Sequence, residues 1–296
     1  MKKPFMYLLM MFLLTGIIRA QEQECPFSYG EYRPESIVTL FGDKVNLRKE
    51  ASTQSELVTQ LGIGSQVSIV EKSEKTYTMG GYTTNWYKAN ITGEQTSLTG
   101  YIWGGLLSMV TTDIPRTEGG SDKLVYGFTS WSKEKDFMTT VRIIRDGKVL
   151  TSLDFEPISS GFHDAGVFGH GVCIKIDGNH GFKGIINVIR LEFIYEACGY
   201  ENGEIFLLWD GVKLTYLAKA SMVVEAGIFA YTYDLIFPNM PGGKPNTLQI
   251  NQEFIETEWK EETEKITNHE ITRKKFVWDG LSVSIMPEEV EKIIEK

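Results

Sequence analysis

Residues 45–69 read VNLRKEASTQSELVTQLGIGSQVSI, and their order decides what kind of fold opens the chain. Val45 and Leu47 alternate with Asn46 and Arg48, so one short strand can turn its apolar pair inward and its polar pair outward. A polar run follows, then the apolar Leu57, Val58 and Leu61. Gly62 and Gly64 come next, and Val67 and Ile69 alternate with Gln66 and Ser68. That is strand, loop, strand, turn, strand, with no helical period of useful length.

The pattern continues outward. Short β-like runs fill residues 36–109, punctuated by Gly80-Gly81, Gly93 and Gly104-Gly105. Upstream, residues 21–36 are polar, carry Pro26 and Pro34, and read as a lead-in. The first twenty residues have the form of a secretory signal peptide. Met1-Lys2-Lys3 is a basic start, Phe5 to Ile18 is an apolar run of 14, and Ala20 stands at a cleavage position. A membrane anchor is the rival, but a span needs about 20 apolar residues. No later segment is long and apolar enough to cross a bilayer. The expectation is therefore an exported chain, periplasmic or extracellular, with no integral membrane segment after cleavage.

Downstream, residues 111–122 are polar with Pro115 and Gly119-Gly120, and read as a linker. Residues 123–286 are again β-like. Asp146-Gly147, Asp210-Gly211 and Asp279-Gly280 each stand between apolar runs, a hairpin signal. Their spacing makes a weak internal repeat that fits a sandwich or an open meander better than a propeller. Residues 253–278 fit a solvated helix by their Glu and Lys content. They fit two charged edge strands by their Thr content and by the hairpin signal that follows, and strands are favoured. Residues 287–296, PEEVEKIIEK, carry Pro at the first turn, then acids, then Val290, Ile293 and Ile294 at helical spacing, so a short terminal helix is expected.

Residues 38–108 resemble a bacterial SH3-like domain, a small barrel found in exported envelope proteins. Val45-Asn46-Leu47-Arg48 matches its opening x-V-N-x-R, Gly64 and Val67 its G-x-x-V step, and Trp86-Tyr87-Lys88-Ala89 its W-x-K-V. Gly100-Tyr101-Ile102 with Leu106-Leu107 matches its closing strand. Two loops depart from the family by their length, 71–85 and the one before the last strand, and Ala51 stands where Pro is common. The resemblance implies a binding module, an SH3-like barrel over 37–110, contacting envelope peptide, glycan, peptidoglycan or a protein partner. It also implies an association with cell-wall hydrolases, which makes a hydrolase or accessory site in the C-terminal β domain an alternative. An envelope interaction or sensor module is a further one. Trp86 reads most simply as core, against an aromatic groove. Asn46, Arg48 and Tyr87, taken as surface-facing, together with Trp103, are the candidate ligand contacts.

The remaining chemistry is sparse. Net charge is −9 and the isoelectric point about 5.1, so the overall field gives no reason to seek nucleic acid. Cys173 sits in an alternating strand and Cys198 at a strand end, which suits no cysteine nucleophile. His170, Cys173, Asp177 and His180 have no known zinc spacing. No serine-hydrolase motif, phosphate loop or dinucleotide fingerprint occurs. The expectation is a non-enzymatic protein without cofactor or metal. Three cysteines, Cys25, Cys173 and Cys198, allow three single pairings. Cys173 with Cys198 is expected because both lie in one presumptive domain, buried free thiols being the alternative.

Overall fold

A computed structural model describes residues 25, 27–92, 97–158, 169–260 and 263–293. The signal peptide read over 1–20 and most of the lead-in before Phe27 lie outside them. The described chain is all β, with one 3-10 turn at Gly104–Leu106 and no α-helix among the described residues.

The first sheet holds β1 (Ile37–Thr39), β2 (Val45–Arg48), β3 (Leu57–Leu61), β4 (Gln66–Met79), β5 (Tyr82–Thr92) and β6 (Ser97–Trp103). Their order is β1-β4-β5-β6-β2-β3, so the sheet curls and brings β6 back onto β2. Alternation does the folding. Val45, Leu47, Val67, Ile69, Tyr87, Ala89 and Ile102 point into one core, where Leu47, Ala89 and Ile102 are wholly buried. The lead-in is not a free tail. Its Tyr32 enters the same core and donates to the Leu107 carbonyl at 3.2 Å.

The second sheet holds β7 (Val110–Pro115), β8 (Ser121–Ser132), β9 (Asp136–Arg145) and β10 (Lys148–Phe155), in the order β10-β9-β8-β7. Residues 111–122 are therefore no linker. They form β7, the start of β8 and the turn between, with Thr111 opposite Val125 and Ile114 opposite Asp122. The paired glycines and the proline marked a hairpin turn, not a domain break. Ile114, buried in the core, was its one apolar clue.

The third sheet runs β11 (Gly171–Asp177), β12 (Asn187–Ile194), β13 (Asn202–Trp209), β14 (Leu214–Glu225), β15 (Phe229–Ile236), β16 (Thr247–Lys260), β17 (Thr263–Trp278) and β18 (Val283–Ile285), with β19 (Glu289–Lys292) also on β17. Its first four strands face the second sheet as a sandwich, with β7 beside β11 and β10 beside β14. β13 explains the layering. Ile205, Leu207 and Trp209 point into the sandwich core, while Phe206 and Leu208 point the other way. There they meet Leu248, Ile250, Phe276 and Trp278 from β16 and β17. An apolar run buried on both faces is the signature of a central strand.

The three Asp-Gly hairpins form, but they are not one repeated turn. Asp146 and Gly147 both have positive φ, the tight two-residue form. Asp210 and Asp279 instead accept two backbone N–H groups each through Oδ1, from Val212 and Lys213 and from Leu281 and Ser282.

The C-terminal helix expected over 287–296 does not form. Residues 289–292 pair with β17, Glu289 opposite Arg273 and Lys292 opposite Glu270. Arg273 bonds Glu291 at 2.7 Å, Lys274 pairs Glu288 at 3.3 Å, and Lys275 bonds Glu289. A helix as short as residues 287–296 is marginal alone. The cations of β17 supply both a ladder and counter-charges, and the extended form wins.

The disulfide also differs from the expected Cys173–Cys198 pair. Cys25 bonds Cys173, with Cα atoms 5.8 Å apart, and Cys198 is exposed and free. Ser28 pairs with Val172 by two backbone bonds of 2.9 Å, which lays the lead-in along β11 and brings Cys25 to Cys173.

Candidate functional site

The candidate site is the outer face of the curled sheet. The register of β2 puts Arg48 opposite Tyr101 of β6, Tyr101 lies opposite Lys88 of β5, and Lys88 lies opposite Glu71 of β4. Directly paired residues share a face. Arg48, Tyr101, Lys88 and Glu71 therefore form one row across four strands, with a tyrosine ring between two cations. The neighbouring row is Trp86 opposite Trp103.

The tryptophans are the floor of this face. Trp86 and Trp103 are each 4% exposed and pack with Ala51. Trp103 Nε1 donates to the Tyr77 carbonyl at 2.8 Å and lies 3.2 Å from that of Thr84, so its one polar atom is satisfied. Tyr77 stands edge-on to Trp103, centroids 5.7 Å apart, and is 37% exposed. Tyr101 is half-buried against the same cluster. The rings a ligand can reach are thus Tyr77 and Tyr101, supported from beneath by the tryptophans.

Arg48 and Asn46 brace the surroundings. Arg48 Nη1 donates to the Ser55 carbonyl at 2.7 Å, and Glu50 N–H donates to Ser55 Oγ at 2.9 Å, which closes the 49–56 loop beside the face. Asn46 does not hold that loop. Its Oδ1 accepts from Gln60 Nε2 at 3.0 Å across the β2–β3 pair. Lys88 reaches Glu71 at 3.5 Å.

Of the four residues singled out in the sequence, Arg48 alone combines partial exposure with a place in the row. Trp103 lies on the right face but under it. Tyr87 is not surface-facing. It is 1% exposed, pairs with Ile102 on the inner face and meets Tyr32 edge-on at 5.1 Å. Burial pushes the Tyr87 and Tyr32 hydroxyls up from the ordinary phenol range. Tyr77 was missed because it lies in the segment that is long for the family. Tyr101 and Lys88 were within quoted motifs, and the two-residue spacings Trp86/Lys88 and Tyr101/Trp103 were the signal that could have placed them on one face.

The long 71–85 segment has its own explanation. It is the β4–β5 hairpin prolonged past the core of the curled sheet, and its tip docks on β8. Trp131 N–H donates to the Gly80 carbonyl at 2.7 Å. Gly81, at φ +82°, comes so close that a Cβ would stand 2.0 Å from the Trp131 carbonyl oxygen. Tyr82 packs on Phe128 at 4.8 Å, and burial pushes its hydroxyl up to about 12.

The zinc-like set considered in the sequence is not assembled. Cys173 is in the disulfide, and the buried His170 places Nε2 2.8 Å from the Glu201 carbonyl oxygen, whereas His180 is 3.3 Å from Asp177. No curated protein and no solved structure matches the chain. The family model described as the bacterial SH3 domain matches residues 43–108, from just before β2 to just before β7, and nothing else in the chain is matched. The curled sheet that carries the aromatic row is thus a bacterial SH3 domain.

Proposed function

We propose that this chain is a non-enzymatic binding protein of the bacterial cell envelope, and that its SH3 domain contacts wall peptide or peptidoglycan. The observation that carries the reading is the family match over residues 43–108. The face described above is chemically suited to such a ligand. Tyr77 and Tyr101 offer flat apolar surface for a sugar ring or side chain. Arg48 and Lys88 beside them offer donors to carboxylates. No helix among the described residues is long and apolar enough to cross a membrane.

The test is co-sedimentation of the chain from Gln21 onward with purified peptidoglycan sacculi, beside a Tyr77→Ala/Tyr101→Ala double variant. Saturable binding that weakens about tenfold or more in the variant is expected, two stacking contacts being worth roughly 1–3 kcal/mol together. Absence of binding, or equal binding by the variant, overturns the assignment to this face.

A further inference from the structure

The structure assigns a second binding site, outside the SH3 domain, to the cleft between the edge strands β7 and β11: we propose that it takes up an extended peptide segment bearing a carboxylate. The cleft has a volume of about 690 Å³ and is walled by β7 on one side and β11 with Asn187 and Arg190 of β12 on the other. That is within the usual size of ligand sites.

β7 is the unpaired edge of its sheet among the described residues, and β11 is the edge of its own, covered at Val172 and Cys173 by the lead-in residues Ser28 and Cys25. Arg116 N–H donates to the Gly120 carbonyl at 3.0 Å, which fixes the parity of the β7–β8 ladder. By that parity Thr111, Asp113 and Pro115 turn their backbone groups away from β8, toward the cleft. Pro115, which has no N–H, sits where an edge tolerates it. On β11, Val172 spends its outward N–H and carbonyl on Ser28, both at 2.9 Å. The next outward-facing residues are Ile174, whose carbonyl oxygen lies 3.4 Å from Cys25 Sγ, and Ile176, and both line the cleft. The outward backbone groups of β7, facing Ile176 across the space, are a template for an added strand.

Two side-chain atoms point the same way. Asn187 Oδ1 is buried and accepts no hydrogen bond, while its Nδ2 is held by the Asp177 carbonyl at 2.8 Å. Arg116 Nε is buried and without an acceptor. Arg116 lines a smaller hollow of about 110 Å³ that shares Pro115 and Ile186 with the main cleft. Buried groups without partners are uncommon and call for a reason. One orphan needs a donor and the other an acceptor, which a peptide N–H and a carboxylate supply. The charge agrees. Arg145 takes both oxygens of Asp122, at 2.8 and 2.6 Å, and Arg116 approaches the same carboxylate only to 3.9 Å. Two guanidiniums thus share one buried carboxylate, with Glu118 on the wall of the same hollow, and Arg116 is the less closely paired of the two.

The experiment selects a synthetic octapeptide library with free C-terminal carboxylates on the chain, with counter-selection on Thr111→Pro. That variant removes an outward N–H and leaves the β8 ladder intact. Affinities of the enriched peptides are then read by fluorescence anisotropy. Expected are enriched peptides that bind the chain about tenfold tighter than Thr111→Pro or Arg116→Gln, and that lose about tenfold on N-methylation of alternate amides or on C-terminal amidation. The peptide modifications keep the test valid should either variant fold poorly. A library that yields no peptide enriched over the counter-selection overturns the proposal, as do peptides indifferent to N-methylation. Binding that survives Thr111→Pro but vanishes in Tyr101→Ala belongs to the SH3 face and overturns it too.

Discussion

Reduction of the Cys25–Cys173 bond is the sharpest probe of how the chain is held together. The bond closes a loop with a sequence separation of 148. Loop-closure entropy for that length amounts to about 5 kcal/mol at 25 °C, an upper figure, since measured losses run at roughly 2–5 kcal/mol. Cys25→Ser leaves Cys173 as a buried thiol with no exposed surface, a role cysteine fills well. It also frees the lead-in from β11, so the two bonds of Ser28 to Val172 are weakened with it. The assay is urea denaturation of the chain from Gln21 onward, oxidised and with dithiothreitol, beside Cys25→Ser and Cys198→Ser. The oxidised chain should unfold at markedly higher urea than the reduced one. Cys25→Ser should match the reduced chain, and Cys198→Ser should behave as the parent. Native thiol titration should count one reactive group, the exposed Cys198. A Cys173–Cys198 peptide in a non-reducing digest, three titratable thiols, or a shift below about 1 kcal/mol would each refute the reasoning.

Four other outcomes are expected. Trp103→Ala should cost about 3–5 kcal/mol in a denaturant melt, as for a core aromatic, whereas Tyr101→Ala should cost far less and act on ligand binding instead. Asp122→Asn should destabilise by about 2–3 kcal/mol, because Arg145 loses a paired charge against a side chain only 1% exposed. The hydrogen bond from Arg145 holds the Asp122 carboxyl below its ordinary range. Its contribution is therefore fully present above about pH 4 and is lost as pH falls through the depressed folded-state value, so the stability difference between parent and Asp122→Asn should shrink in acid melts. Gly81→Ala meets the Trp131 carbonyl and a positive φ together, and should undock the hairpin tip, read as faster hydrogen exchange at the Trp131 amide. Finally, an excised 37–110 fragment should aggregate, where the longer chain from Gln21 does not, because it uncovers Phe41, Ile63 and Tyr82, read by light scattering.

Local patterning was legible wherever a residue's own neighbours decide its state. Alternation in Val45–Arg48 and Gln66–Ile69, the Asp-Gly turns, and the strands of residues 253–278 follow from side-chain period and turn chemistry alone. What was not legible depends on partners far along the chain. PEEVEKIIEK has a helical pattern, and only the cations of β17 make it a strand. The 111–122 segment has a linker's composition, and only the buried Ile114 and Asp122, met by the core and by Arg145, make it a hairpin. Cys25 was separated from Cys173 by the whole SH3 domain, so proximity in sequence pointed to Cys198 instead. The site was half legible for the same reason. Motif spacing located the aromatic residues, but which of them is floor and which is surface depends on the prolonged hairpin that delivers Tyr77 over Trp103.

The features that made the second half illegible also bind it to the first. Phe41 of the SH3 domain packs with Val125 and Ile144 of the second sheet, and Gly127 lies flat against its ring because a Cβ there would stand 2.7 Å away. Arg142 lies 4.2 Å over that ring and donates to the Phe41 carbonyl at 2.7 Å. The hairpin tip docks on β8, and the lead-in runs from the SH3 core to β11, where the disulfide fixes it. Cys25 itself lines the cleft between β7 and β11. The curled sheet and the sandwich therefore share apolar packing, hydrogen bonds and a covalent tie, unlike modules strung on a flexible linker. A flexible tether would let a wall-bound SH3 domain sweep its partner through a volume set by linker length. Here the aromatic row and the cleft are held at one fixed separation and orientation. A single ligand that spanned both proposed sites would have to present that same geometry, whereas two separate ligands would bind each site independently of it.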